Sequence, residues 1–349
     1  MQAWLEHVWY GRRPPPWWLR PLSLLYAGAA GLRRAAYARR WRAAAQMPAP
    51  VVIVGNLSVG GTGKTPLVHW LTARLRERGM KPGIVSRGYG GTSTAARLID
   101  AADDPGVIGD ETVLLAARTH APVAVGRDRP AAARLLTDAG CDVIVSDDGL
   151  QHYALARDCE IVVVDGERRF GNGWPLPAGP LRESPARLRS ADAVVVNGGA
   201  AALRGKGGEL AGSGTAAAAL EGALTMRLDG DCAARVHGGE RRPLAAFAGR
   251  SVHAVAGIGN PERFFNMLRA HGIEVIGHPL PDHARLRSGD ISFEDERPVL
   301  MTEKDAVKCR ELPAPRHWYV PVTASFEAAD SRQLMDVVMR AIEKGRARA

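Results

Sequence analysis

Residues 58–65, Ser-Val-Gly-Gly-Thr-Gly-Lys-Thr, have the side chains of a phosphate cradle. Gly60, Gly61 and Gly63 let backbone N–H groups turn inward around phosphate oxygens. Lys64 supplies a cation for β- and γ-phosphates, and the Thr65 hydroxyl can ligate Mg²⁺. Ser58 stands where the general G-x-x-x-x-G-K-[ST] pattern has its first glycine. Val59 and Thr62 complete the loop. A short apolar run, 51-VVIVG-55, enters it and a helical run, 66-PLVHWLTARLRERG-79, leaves it, as a P-loop requires. The outgoing helix would add the positive end of its dipole. Dimerising ATPase switches carry a lysine where this chain has Val59, so that class is disfavoured.

Mg²⁺ at such a loop needs an acid at the end of another strand. The run 143-VIVSDD-148 supplies Asp147 and Asp148. Two adjacent carboxylates repel each other unless a cation stands between them, although a solvated Asx turn would also account for the pair. A second acidic pair, Asp110 and Glu111, opens a helix after Gly109, where N-capping explains one of the two. Thr65 with Glu111, Asp147 or Asp148 is therefore the candidate metal set. Gln151 and His152 follow the aspartates closely and could orient them. Arg87 and Tyr89, in 86-SRGYG-90, are candidates for substrate contact, Tyr89 being equally suited to packing. Arg182 and Arg187 flank a proline-rich loop and suit an anionic ligand.

Unalternated apolar strands interleaved with helices position these groups. They are expected at 51–55, 83–86, 122–126, 142–149, 159–166 and 192–198, with helices at 109–120 and 128–140. This is the pattern of a parallel sheet covered on both faces. The expected fold class is α/β: a P-loop NTPase-like domain (43–197), a Gly/Ala-rich linker (198–223) and a second, smaller α/β domain (224–349). In the latter, strands are expected at 252–259, 273–277, 298–302 and 318–322, and helices at 261–272 and 330–345. The last helix is expected to pack back on the first domain. The segment 302-TEKD-305 fits a base-reading loop or a salt-bridged structural one.

Residues 1–42 differ from the rest. They hold eight arginines against one acid, Glu6, and five of the eight tryptophans. The net charge of +9 thus resides mostly here, and the body is nearly neutral. Arg and Trp suit a water–lipid boundary, each having an apolar body and a polar tip. The apolar run 21–32 is shorter than the roughly 20 residues of a spanning helix, so an interfacial membrane helix is expected. Nucleic-acid binding is disfavoured by the near-neutral body and the lack of a stacking motif. The four cysteines form no C-x-x-C, which argues against a zinc site or a disulfide framework. No feature identifies a protein partner.

Several strings together resemble the tetraacyldisaccharide 4′-kinase family of lipid A biosynthesis: 55-GNLSVGGTGKTP-66, 86-SRGYGG-91, 109-GDE-111, 147-DDGLQH-152, 165-DGERRFGNGWPLPAGPLRE-183, 257-GIGNPERFF-265, 281-PDH-283 and 302-TEKDAVK-308. The resemblance runs from the N-terminal helix to at least residue 308. It implies an enzyme dependent on ATP and Mg²⁺ that phosphorylates the 4′-hydroxyl of an acylated glucosamine disaccharide 1-phosphate on the cytoplasmic face of the inner membrane. It also carries a catalytic pair onto Asp110 and His283, with Asp110 taking the hydroxyl proton and His283 orienting it. Two other readings fit the loop itself: a kinase for a soluble molecule whose basic tail meets lipid incidentally, and a nucleotide switch that recruits a partner to the membrane.

Overall fold

The computed structural model describes residues 2–11, 13–100, 103–198, 220–282, 284, 286–309, 312 and 315–348. Its centre is a nine-stranded sheet in the order β15-β8-β7-β6-β1-β5-β2-β4-β3. The inner strands are β1 (Val51–Gly55), β2 (Pro82–Ser86), β5 (Val143–Asp147) and β6 (Cys159–Asp165), and every residue of all four is buried. Being apolar on both sides, they require cover on both faces and pair in parallel. One face packs Leu67, Leu71 and Leu75 of helix Lys64–Glu77 with Leu334, Val338 and Ile342 of helix Ala328–Arg346. The other packs Ala132 and Leu136 of helix Arg129–Asp138 with Leu150, Leu155 and Leu181.

Because β1 lies between β5 and β6, their carboxyl ends meet at one edge, with Val54 opposite Asp147. The loop after β1 and the acids ending β5 are neighbours for that reason, as expected at the carboxyl edge of an open α/β sheet. The ends of β2 and β7 (Ala193–Asn197) lie along the same edge. The remaining outer strands are β3 (Arg97–Leu98) and β4 (Val123–Val125) on one side. On the other are β8 (Leu224–Asp229) and β15 (Thr323–Phe326).

A six-stranded sheet forms a second body in the order β10-β9-β14-β13-β11-β12. Its strands are β9 (Cys232–Arg235), β10 (Arg241–Pro243), β11 (Ser251–Ala256), β12 (Glu274–Pro279), β13 (Val299–Thr302) and β14 (His317–Val320). Phe264, Phe265 and Leu268 of helix Pro261–Ala270 cover one face with Trp318 and Phe247. Residues 224–229 and 323–326, grouped by the sequence with this second half, instead complete the large sheet. β8 extends β7 in parallel, β15 closes antiparallel on β8, and the last helix buries its apolar face in the large core. Residues 199–219 of the expected linker lie outside the described residues.

At the N-terminus, helix Gln2–Tyr10 leads to helix Leu19–Ala38. Trp9 Nε1 donates to the Pro177 carbonyl at 2.9 Å, and Ser23 Oγ accepts from the Ala178 amide at 2.9 Å. The opposite side of the longer helix is apolar and uncovered: Leu24, Leu25 and Leu32 are 64%, 71% and 65% exposed. Among the described residues no helix is long and apolar enough to cross a membrane. All four cysteines are free thiols, three of them buried.

Candidate active site

The loop 58–65 is held from behind by two buried amides. Asn56 Nδ2 donates to the carbonyls of Ser58 (2.8 Å) and Gly60 (3.4 Å), and Asn197 Nδ2 donates to that of Thr62 (3.0 Å). Spending loop carbonyls on these donors leaves the amide edge for an anion. Gly63, at φ 95°, caps helix Lys64–Glu77, and a Cβ there would stand 2.6 Å from Asn197 Nδ2, so glycine is required twice over. Ser58 is buried, and its backbone makes an isolated antiparallel bridge with Leu181 of the proline-rich segment. Val59 joins the same segment through its amide to the Pro180 carbonyl (2.9 Å).

Lys64 Nζ lies 3.4 Å from Asp148 Oδ1. Arg182 Nη1 grips both oxygens of Asp148 at 3.1 and 3.0 Å. Burial opposes the charge of Asp148, but Lys64 and Arg182 outweigh it and hold the carboxyl well below the usual range. Asp147 behaves oppositely. It is 2% exposed, its Oδ1 has no hydrogen-bond partner among the described residues, and burial followed by the charge of Glu111 pushes it up to about 7. Two adjacent aspartates thus divide the work: Asp148 is already paired with protein cations, whereas Asp147 is a buried acid with no ion pair of its own among the described residues. An orphaned carboxylate oxygen beside Glu111 and near Lys64 fits a divalent cation, with Thr65 at the first turn of the neighbouring helix.

Asp110 and Glu111 form the first turn of helix Asp110–Thr119. Asp110 is buried, with Oδ1 accepting from the Glu111 amide at 3.0 Å and Oδ2 3.4 Å from Lys308 Nζ. Glu111 accepts from Lys304 Nζ at 3.0 Å. His283, expected to pair with Asp110, lies outside the described residues. Arg87 and Tyr89 are exposed on the loop after β2, Tyr89 at 60%. Gln151 turns back to the Asn56 carbonyl (3.0 Å) and so braces the start of the phosphate loop rather than the acids. His152 is pushed down to about 4 by burial and by Arg129, Arg87 and Arg33, so it is neutral near pH 7. Arg187 does not reach the site. It is 5% exposed and doubly bonded to Glu160 beneath the proline-rich loop, a buried ion pair that spends its guanidinium inside.

Other residues build the site without having stood out in the sequence. Arg129 is fully buried and donates to the Val85 carbonyl (3.3 Å), Ser146 Oγ (2.9 Å) and the Asp147 carbonyl (3.0 Å). It ties the ends of β2 and β5 together; burial pulls it down to about 10, so it stays charged at neutral pH. The second body meets the loop at Gly259, where a Cβ would stand 2.6 Å from the Gly61 nitrogen. Around that contact Arg168 donates to the Gly259 carbonyl, and Arg263 lies 2.6 Å from Asp165. These pairs link strings far apart in the chain, and no local pattern announces them. The segment 302-TEKD-305 is salt-bridged: Glu303 pairs with Arg118 (3.0 Å), and fully buried Asp305 accepts from the Gly257 amide (2.9 Å) and Thr302 Oγ1 (2.6 Å).

The family profile described as Tetraacyldisaccharide-1-P 4′-kinase, LpxK, matches residues 15–341. A tetraacyldisaccharide 4′-kinase of Stenotrophomonas maltophilia (strain R551-3) is 51% identical over 322 residues, 92% of each chain. That of Nitrosococcus oceani is 47% identical over 338 residues, 96% of this chain and 94% of its own. Among solved structures, LpxK from Aquifex aeolicus in complex with ATP superposes with a TM-score of 0.71 at 27% identity, over 92% of this chain and 98% of that one. A phosphate loop, paired acids at a strand end and a profile match over most of the length converge, and the chain belongs to the tetraacyldisaccharide 4′-kinase family.

Proposed function

We propose that this lipid A 4′-kinase carries the γ-phosphoryl group of ATP to the 4′-hydroxyl of an acylated glucosamine disaccharide 1-phosphate at the cytoplasmic face of the inner membrane, with Asp110 receiving the proton. The observation that carries the site reading is that Lys64 of the loop stands 3.4 Å from Asp148 at the end of β5, beside the buried Asp147 oxygen that has no hydrogen-bond partner among the described residues. The loop amides and Lys64 hold the β- and γ-phosphates, since phosphoryl transfer depends mainly on positioning and charge. Asp147, Glu111 and Thr65 are the residues that would hold Mg²⁺, which when bound neutralises phosphate charge. Asp110, fixed at the helix start, takes the proton of the attacking hydroxyl, and the family resemblance assigns His283 to orient it.

Arg33 of the N-terminal helix acts on His152 together with Arg87, and both Arg33 and Arg182 act on Tyr26. Arg33 lies on the same N-terminal helix as the uncovered leucines, and this basic margin suits a lipid acceptor that bears a phosphate. The N-terminal helices would lie in the interface, so the acceptor need not leave the bilayer. The test uses γ-labelled ATP, Mg²⁺ and acylated disaccharide 1-phosphate in detergent micelles. Label is expected in the lipid with the native chain and not with Lys64→Ala. Nucleotide binding without label in lipid would overturn the reading and favour a switch.

A further inference from the structure

Helix Glu303–Lys308 belongs to the second body yet lies against helix Asp110–Thr119 of the first, and its charges meet that helix at three points. Glu303 takes Arg118 at 3.0 Å near the far end. Lys304 Nζ bridges Glu111 and Asp282, both at 3.0 Å. Burial opposes its charge, but Glu111, Asp282 and Asp110 outweigh that and hold the ammonium above the usual lysine range. Lys308 Nζ stands 3.4 Å from Asp110 Oδ2 and 3.3 Å from Asp305 Oδ1. Asp305 is itself immobilised by the Gly257 amide and the Thr302 hydroxyl. The ammonium facing Asp110 is therefore held by a chain of buried bonds that runs back to the end of β11.

We propose that Lys308 is a positioning residue for phosphoryl transfer: it fixes the carboxylate of Asp110 from the second body. The proposal rests on the reading of Asp110 as proton acceptor. A carboxylate that works beside a triphosphate feels strong repulsion, which favours turning away. Lys308 on Oδ2 and the Glu111 amide on Oδ1 counter that tendency and set the plane of the group. Because Lys308 comes from the second body, the carboxylate is fully set only when the two bodies are in contact. Lys308 acts through Asp110 and makes no claim on the nucleotide.

A double-mutant cycle tests this, with kcat and KM for ATP measured on the full chain for Lys308→Met, Asp110→Asn and the double variant. Lys308→Met is expected to lower kcat about tenfold or more with Asp110 present, and less than about threefold in the Asp110→Asn background. KM for ATP should stay within about threefold throughout, and Lys308→Arg should recover most of kcat. Equal losses in both backgrounds, or a loss residing in KM for ATP, would overturn the proposal. Asp110→Asn with undiminished kcat would instead remove the reading of Asp110, and the role of Lys308 with it. Should Lys308→Met fold poorly, Lys308→Gln carries the same cycle, with thermal unfolding compared first.

Discussion

The nucleotide half of the site and the acceptor half are built by different forces. Around residues 58–65 the chain is held by buried strands and by amide-to-carbonyl bonds from Asn56 and Asn197. Around Asp110 and Glu111 it is held by lysines and acids that cross between two bodies. The first arrangement is short-range in space and insensitive to salt. The second depends on contact between units with separate cores, and therefore on how those units approach. The phosphate cradle is thus built within the first body, whereas the carboxylates at the start of helix Asp110–Thr119 are held by side chains from both.

Perturbations of each half should separate accordingly. Lys64→Ala removes the cation of the cradle and should cost about 10²–10³-fold in kcat/KM, read by label transfer. A loss under tenfold would mean that the cradle does not hold the transferred group. Asp147→Asn tests the buried acid. Its folded value of about 7 lies above the ordinary carboxylate value of 3.8, so the native chain is most favoured with this proton bound, and stability falls as pH rises between those values. In metal-free buffer the Asn variant should nearly match the native chain near pH 4 and exceed it above pH 7, by on the order of 4 kcal/mol. Mg²⁺ should narrow that gap by raising the native melting temperature alone. A gap that is constant with pH would contradict the assignment.

Smaller effects sharpen the comparison. Arg129→Met leaves buried acceptors at the ends of β2 and β5 unsatisfied and should cost about 1–3 kcal/mol in denaturant unfolding, with little dependence on salt. Arg118→Met breaks the mostly buried pair with Glu303 and the bond to the Val322 carbonyl, and should cost about 1–3 kcal/mol, the share of the ion pair shrinking at high salt. If the two variants responded alike to salt, the two halves would not be held by different forces. The least change in folding is expected from Leu24→Asp with Leu25→Asp, both side chains being exposed. Affinity for anionic vesicles, read by sedimentation, should nonetheless fall about 100-fold or more, each exposed leucine being worth about 1.5–3 kcal/mol when buried; unchanged sedimentation would exclude this helix as the docking face.

How much of this was legible follows the same division. The loop, the acids of β5 and the strand pattern are local, and 51-VVIVG-55 or 159-CEIVVVDG-166 declares a doubly covered strand outright. β8 and β15 were not legible as members of the first sheet. Their alternation is weak, and long stretches of chain separate each of them from its partner strand. Arg187 and Arg182 sit five residues apart in one arginine-bearing segment, yet Glu160 turns one inward and Asp148 holds the other at the site. Spacing alone carries no sign of which acid lies beneath. Asn56 and Asn197 show the converse: unremarkable amides at strand ends that acquire a role only once β1 and β7 are seen to end at the same loop.

The most direct test of the account is the effect of Asp110→Asn on transfer to the lipid acceptor, measured beside the affinity for ATP. The account predicts a kcat lowered by about 10²–10⁴-fold with nucleotide affinity nearly unchanged, as for loss of a proton acceptor from an intact cradle. A kcat within tenfold of the native chain, or a loss that lies in ATP affinity, would contradict it.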